Sequence, residues 1–275
     1  DIERVDGERG GAWFMFASPD ARKRESGFLD TDVNSTLWAA GADLQWHEAS
    51  IGAAVFTADD RVAYGGVSDQ VRGDRTGVAL YARHQGEAWY WQGYALYSQF
   101  DSRSTRTLDN GLTGTLAESR SEGDSRGVSI EAGRKFGPHF GLALLASADW
   151  ADLDAFAETG STGLELGFPS ASLSRVLLGP DLRYGRELTN GFAWNVQAGY
   201  RFVLNDVDTG MRAYYTGLPD TGFTVDGMPY PDGFLSWGLG LGYRRGESYW
   251  YLHGNGQDSG NADRYTVSAG VRIGF

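Results

Sequence analysis

Four histidines, the serines and the acidic residues are the side chains through which this sequence could do chemistry. The histidines are His47, His84, His139 and His253, and none is followed two positions later by serine. A serine becomes a nucleophile only beside a base. Gly123-Asp-Ser125 has the residue types of an esterase nucleophile block, but Arg126 follows where an apolar residue is needed, and no Asp-x-x-His occurs in the chain. The triplet therefore reads as the polar end of a loop. His84 and His139 fall in expected turns. His253, near the outer end of a strand, could pair with a loop aspartate in a protease, but it reads as an interfacial polar residue. Cysteine is absent and no His/Cys spacing suits a metal, so no metal or cofactor is expected. Asp59, Asp60, Asp101, Asp152 and Asp154 could hold Ca²⁺ or meet lipopolysaccharide through divalent ions, and they read first as a solvated face. The chain is expected not to be an enzyme.

The elements that would carry these residues are strands. The 275 residues suffice for one large β domain. No run of eighteen apolar residues exists, so no transmembrane helix is expected. Glycine is abundant at 40 residues, aromatics make up 13%, and proline is rare at 7. A membrane-crossing strand needs only about 9–11 residues and can be polar on one face, so this composition suits a barrel. The net charge of −12 argues against a nucleic-acid partner. No signal peptide is visible, and charged residues 1–10 read as a polar lead-in.

Alternation of side chains between the two faces of a strand marks twelve segments. They are Ala12–Ala17, Leu37–Glu48, Ile51–Ala58, Thr76–His84, Ala88–Phe100, Gly127–Phe136, Phe140–Trp150, Leu173–Glu187, Phe192–Val203, Leu235–Arg244, Ser248–Gly254 and Tyr265–Phe275. The last is the clearest. Tyr265, Val267, Ala269, Val271, Ile273 and Phe275 alternate with Thr266, Ser268, Gly270, Arg272 and Gly274. Long polar connections (20–34, 59–74, 101–125, 152–170, 205–232 and 255–263) alternate with short turns. Long loops outside and short turns in the periplasm are the rhythm of an outer-membrane barrel. The expected fold is an all-β, twelve-stranded antiparallel up-and-down transmembrane β-barrel.

The polar faces carry Asp43, Glu131 and Arg272, each between apolar neighbours, and Arg83, which follows Ala82. Unpaired charges are costly in a dry core but tolerable in a wet lumen, so these four are expected to line the lumen. Tryptophans such as Trp38, Trp46, Trp89 and Trp150 lie towards strand ends, where headgroups favour them. Glycines within strands, among them Gly133, Gly199, Gly240, Gly242 and Gly270, are expected to leave hollows for neighbouring aromatics.

Gly11-Ala-Trp-Phe, Gly127–Phe136, the block Asp149–Glu158, the echo of Ser172-Leu173 and Leu178-Gly179, and the strand ending at Phe275 together resemble the β domain of type V autotransporters over residues 11–275. The resemblance implies a translocator and anchor in the bacterial outer membrane of a Gram-negative cell. Its partners would be membrane lipid and lipopolysaccharide, the barrel-assembly machinery, and an N-terminal passenger whose linker helix threads the lumen. Residues 1–10 would be the linker stub, although Gly7 and Gly10 are poor helix formers. Tyr265, Val267, Ala269, Val271, Ile273 and Phe275 would be the assembly signal. The alternative is a standalone diffusion channel or small porin.

Overall fold

The computed structural model describes residues 9–65, 67–109, 114–160 and 163–275, and the regular structure of these residues is all β. In chain order the strands are β1 (Gly10–Lys23), β2 (Thr31–Trp46), β3 (Ala49–Tyr64), β4 (Gln70–Gln85), β5 (Trp89–Asp109), β6 (Gly114–Phe136), β7 (Phe140–Leu153), β8 (Phe156–Ala157), β9 (Leu166–Phe168), β10 (Ala171–Glu187), β11 (Phe192–Val203), β12 (Met211–Tyr215), β13 (Leu218–Val225), β14 (Gly233–Arg245), β15 (Ser248–Asp258) and β16 (Ala262–Gly274). Twelve of them close a barrel in the order β1-β16-β15-β14-β11-β10-β7-β6-β5-β4-β3-β2. Each of the twelve strands expected from alternation has its place there. Most of the linker stub, residues 1–8, lies outside the described residues, and Gly10 already opens β1.

Closure joins β1 to β16 antiparallel, from Gly11 opposite Gly274 to Lys23 opposite Ala262. The register sets the barrel's size. A walk across the ladders from Trp89 through Arg134, Leu142, Leu182, Ala198, Trp237, Gly256, Tyr265, Asp20, Asn34, Arg61 and Arg72 returns to β5 at Arg103. The stagger is thus 14 residues. With ordinary strand spacing and rise, twelve strands at this stagger tilt by about 39° and enclose a backbone radius of about 12 Å.

The outward faces are apolar and bare. Leu80 is 64% exposed, Val55 60% and Ile130 56%, while the inward neighbours Asp43 and Glu131 are nearly inaccessible. Exposed aromatics flank this band. Trp46, Trp89, Phe140 and Trp250 lie near the short turns, and Trp38, Tyr97, Trp150 and Trp237 lie towards the long connections. Trp38 and Trp46 are eight residues apart on β2. At this tilt that spans roughly 20 Å, close to the apolar band of an outer-membrane barrel.

The long connections differ most from the sequence reading. Much of 59–74 and 101–125 is strand: β3 runs to Tyr64, β4 starts at Gln70, and β5 and β6 stay paired from Asp109 and Gly114 onwards. Apolar alternation stops where the apolar outer band stops, but the backbone ladder does not need it. Above the band both faces are polar, and Ser104 and Ser119 (2.6 Å) and the Asp101–Arg120 pair support the ladder instead. The 152–170 and 205–232 connections contain β8, β9, β12 and β13, which form a separate sheet in the order β13-β12-β9-β8. A backbone bridge between Glu118 and Thr159 ties it to β6. Arg106 on β5 adds a fork to Glu158, with contacts of 2.8 and 2.6 Å, and the Glu158 carboxylate raises the Arg106 pKa further.

Candidate functional site in the barrel lumen

Period-two alternation sends one set of side chains from each barrel strand inwards. Asp43 on β2, Arg83 on β4 and Glu131 on β6 line a cavity of about 710 Å³ towards the short-turn end. Arg272 on β16 is buried beside Asp43, and its Nη2 donates to Asp43 Oδ1 at 3.0 Å. The pair straddles β1, which pairs with both β2 and β16, and so it clamps the closing seam. Gly11 of β1 lies under the guanidinium, where a Cβ would collide with it. Tyr81 donates to Asp43 Oδ2 at 3.4 Å and accepts from Trp13 Nε1 at 2.6 Å. The Tyr81 ring fills the hollow above Gly52.

The four residues do not form one cluster. Arg83 donates to Ser50 Oγ at 2.8 Å. Glu131 pairs with Arg183 of β10 and accepts from Gln92 at 3.4 Å. Asp181 and Arg201 form a third pair, 2.5 Å apart and almost wholly buried. Higher in the lumen Arg175 donates to Asp149 at 2.7 Å. Cross-strand pairing of opposite charges lets a narrow lumen hold Asp43, Arg272, Glu131, Arg183, Asp181 and Arg201 in ionised form, because each of these has its counter-ion. Sequence reading missed Arg183, Asp181 and Arg201. The signal was present in the Leu173–Glu187 segment, where Asp181 and Arg183 stand on alternate positions, but partners on other strands have no mark in the sequence.

The glycine hollows are filled as expected at three positions: Gly133 faces the Tyr90 ring, Gly242 the Tyr249 ring and Gly270 the Tyr251 ring. The other two face polar groups, Asp181 at Gly199, and Asn195 and His253 at Gly240. An inward residue beside a hollow can be of either kind, since the inward faces carry both aromatic and polar side chains.

The residues tested for chemistry are dispersed. Ser125 lies within β6, not at a loop end, and its hydroxyl meets Ser98 at 2.7 Å. His253 lies mid-strand in β15, not near its end, and stacks edge-on against Tyr251 in the lumen. The adjoining loop therefore brings it no aspartate. His84 approaches Glu48 at 3.6 Å, and His139 Nδ1 contacts the Gly185 carbonyl at 3.1 Å. Asp60 is engaged by Ser35 and Arg75, and Asp152 by Ser172. Among the described residues no group of three or more His, Cys, Asp or Glu could hold a metal ion.

An apolar outer band, aromatic girdles and an ion-paired lumen inside twelve closed strands define a β-barrel of the bacterial outer-membrane type. A family model described as autotransporter β-domain matches residues 12–257, and the chain belongs to that family. The fold is similar to the translocator domain of the autotransporter NalP from Neisseria meningitidis, with a TM-score of 0.81 at 16% identity, covering 100% of this chain and 91% of that one. It is also similar to the β domain of the Bordetella autotransporter BrkA, with a TM-score of 0.66, 16% identity and coverage of 98% and 100%. The transport unit of the autotransporter AIDA-I from Escherichia coli matches with a TM-score of 0.58, 10% identity and coverage of 100% and 93%. No curated relative matches by sequence.

Proposed function

We propose that this barrel is the outer-membrane translocator and anchor of an autotransporter, and that it secretes and displays a passenger joined to its N-terminal side, without acting as an enzyme. The observation that carries this reading is the lumen's width. A backbone radius of about 12 Å, less the inward side chains, leaves a bore close to the roughly 10–12 Å diameter of one α-helix. Asp43, Arg83, Glu131 and Arg272 then form walls that a polar linker segment can pass without burying an unpaired charge. Arg9 and Gly10 enter at the short-turn end, where both donate to the Phe275 carbonyl, at 2.9 and 3.1 Å. The N-terminal side of β1 therefore lies at the short-turn, proposed periplasmic end, which is the side from which the proposed linker would enter. A reporter domain fused ahead of Asp1 should become protease-accessible on intact cells. Retention of the reporter in the periplasm, with the barrel inserted, would sink the proposal.

Lipid and lipopolysaccharide are the proposed surroundings of the apolar band, and the barrel-assembly machinery is the proposed reader of Tyr265, Val267, Ala269, Val271, Ile273 and Phe275. Four of these present large exposed side chains: Tyr265, Val267, Ile273 and Phe275. Phe275 contributes little to the barrel itself beyond its backbone bonds to Arg9 and Gly10 and is 64% exposed. Deleting it is expected to lower the amount of inserted barrel in cells about tenfold while leaving refolding in detergent nearly unchanged, since an exposed side chain carries little of the fold's stability. Equal insertion of the deleted and intact chains would remove the signal from this residue.

A further inference from the structure

The connection between β13 and β14 crosses the barrel's outer mouth. Its middle reads Gly227-Met-Pro-Tyr-Pro231 and has no helix or strand of its own. Each proline fixes its own φ and pushes the residue before it into extended conformations, so this run is a stiff rod and not a slack loop. One end is held by Lys23, which donates to the Met228 carbonyl at 2.9 Å, and Thr209 donates to the same oxygen at 3.0 Å. The other end is held by Tyr230, whose hydroxyl accepts from Arg175, and whose ring lies 5.5 Å beneath the same guanidinium. Arg175 is fixed in turn by Asp149.

The two anchors stand on opposite walls. Lys23 ends β1 and Arg175 lies on β10, five strands away in a ring of twelve. For a radius of about 12 Å that separation is a chord of roughly 23 Å, and once the stagger is allowed for Arg175 sits only roughly 5 Å below Lys23 along the axis. A lysine, two residues of rod, a tyrosine and an arginine laid end to end cover this chord.

We propose that Gly227–Pro231 is a crossbar that closes the outer mouth of the lumen to solutes, and that it must release Arg175 before a polypeptide can leave through that mouth. The closure stands on the geometry alone. The release step rests on the translocator reading. In the closed state Tyr230 occupies the guanidinium that would otherwise face passing chain. Lifting the rod exchanges those contacts for water, which an external mouth supplies.

The absence of cysteine makes the test clean. Full-length barrel in planar bilayers should show low conductance, and replacing Gly227–Pro231 by a Gly-Ser segment of equal length should raise it severalfold. The Lys23→Ala/Tyr230→Phe double variant should give intermittent openings to the same level. Equal conductance of the intact and replaced chains, whether both high or both low, would overturn the closure, because the mouth would be open already or shut by something else. The release step is read separately, with Arg175→Cys/Tyr230→Cys joined by a bis-maleimide, which locks the Arg175 end of the bar. Export of a fused reporter should stop on cross-linking and proceed in the unlinked double-cysteine chain. Export through a cross-linked bar would refute the release step. Failure of the unlinked chain to export, with conductance behaving as stated, would count against the translocator reading and not against the crossbar.

Discussion

Replacing Arg272 by alanine is expected to lower the stability of the refolded barrel by about 3–5 kcal/mol, the cost of leaving a buried charge without its partner. Asp43 and Arg272 have side-chain exposures of 5% and 4%, so solvent screens the pair little. Asp43→Ala should cost a similar amount. The Asp43→Ala/Arg272→Leu double variant should recover most of the loss, since neither charge is then stranded. Denaturant unfolding in detergent, followed by the mobility shift between folded and boiled barrel on a gel, measures all three. Additive losses would show that the two side chains are uncoupled and that the pair does not clamp the seam. The effect should also be directional. Since the pair straddles β1, partial unfolding of the single variants should begin at the β1–β16 seam, whereas losing the Arg83–Ser50 contact should leave that seam closed.

Placing arginine at Leu80 is expected to cost about 2–4 kcal/mol in a lipid bilayer, because the position lies near the middle of the apolar band. Leu80 is 64% exposed, so the substitution breaks no interior packing. In a water-soluble β-barrel the same change would cost almost nothing. Refolding into vesicles, with the fraction folded read from the gel shift at increasing urea, separates the two cases. A change within about 0.5 kcal/mol of the native chain would mean that the outward face does not meet hydrocarbon.

What the sequence made legible followed the apolar outer band. Between the aromatic girdles, an apolar outer face and a polar inner face alternate strictly, so Val128-Ser-Ile-Glu131 and Val78 to Arg83 reveal both strand and face. Beyond the girdles the apolar outer face ends and the constraint vanishes. Asp59-Asp-Arg61 in β3 and Asp101 to Arg106 in β5 then look like loops, although their backbones continue the ladder. The small sheet of β8, β9, β12 and β13 was invisible for another reason. β8 and β9 are only two and three residues long, too short for a period to show, and β13 has no buried face to pattern it.

The lumen shows the same division. Asp43, Arg83, Glu131 and Arg272 could be assigned inwards from their neighbours alone. Which charge meets which could not, because Arg272 reaches Asp43 across 229 positions of sequence and Arg183 reaches Glu131 across 52. The sequence by itself determined that the chain makes twelve antiparallel barrel strands with an apolar outside, since that pattern is local and repeats with period two. Only the tertiary structure decided the stagger of 14 residues, the ion pairs that stitch the seam and the rod across the mouth. Those depend on where closure sets each strand beside its neighbours, and closure is a property of the whole ring, not of any one strand.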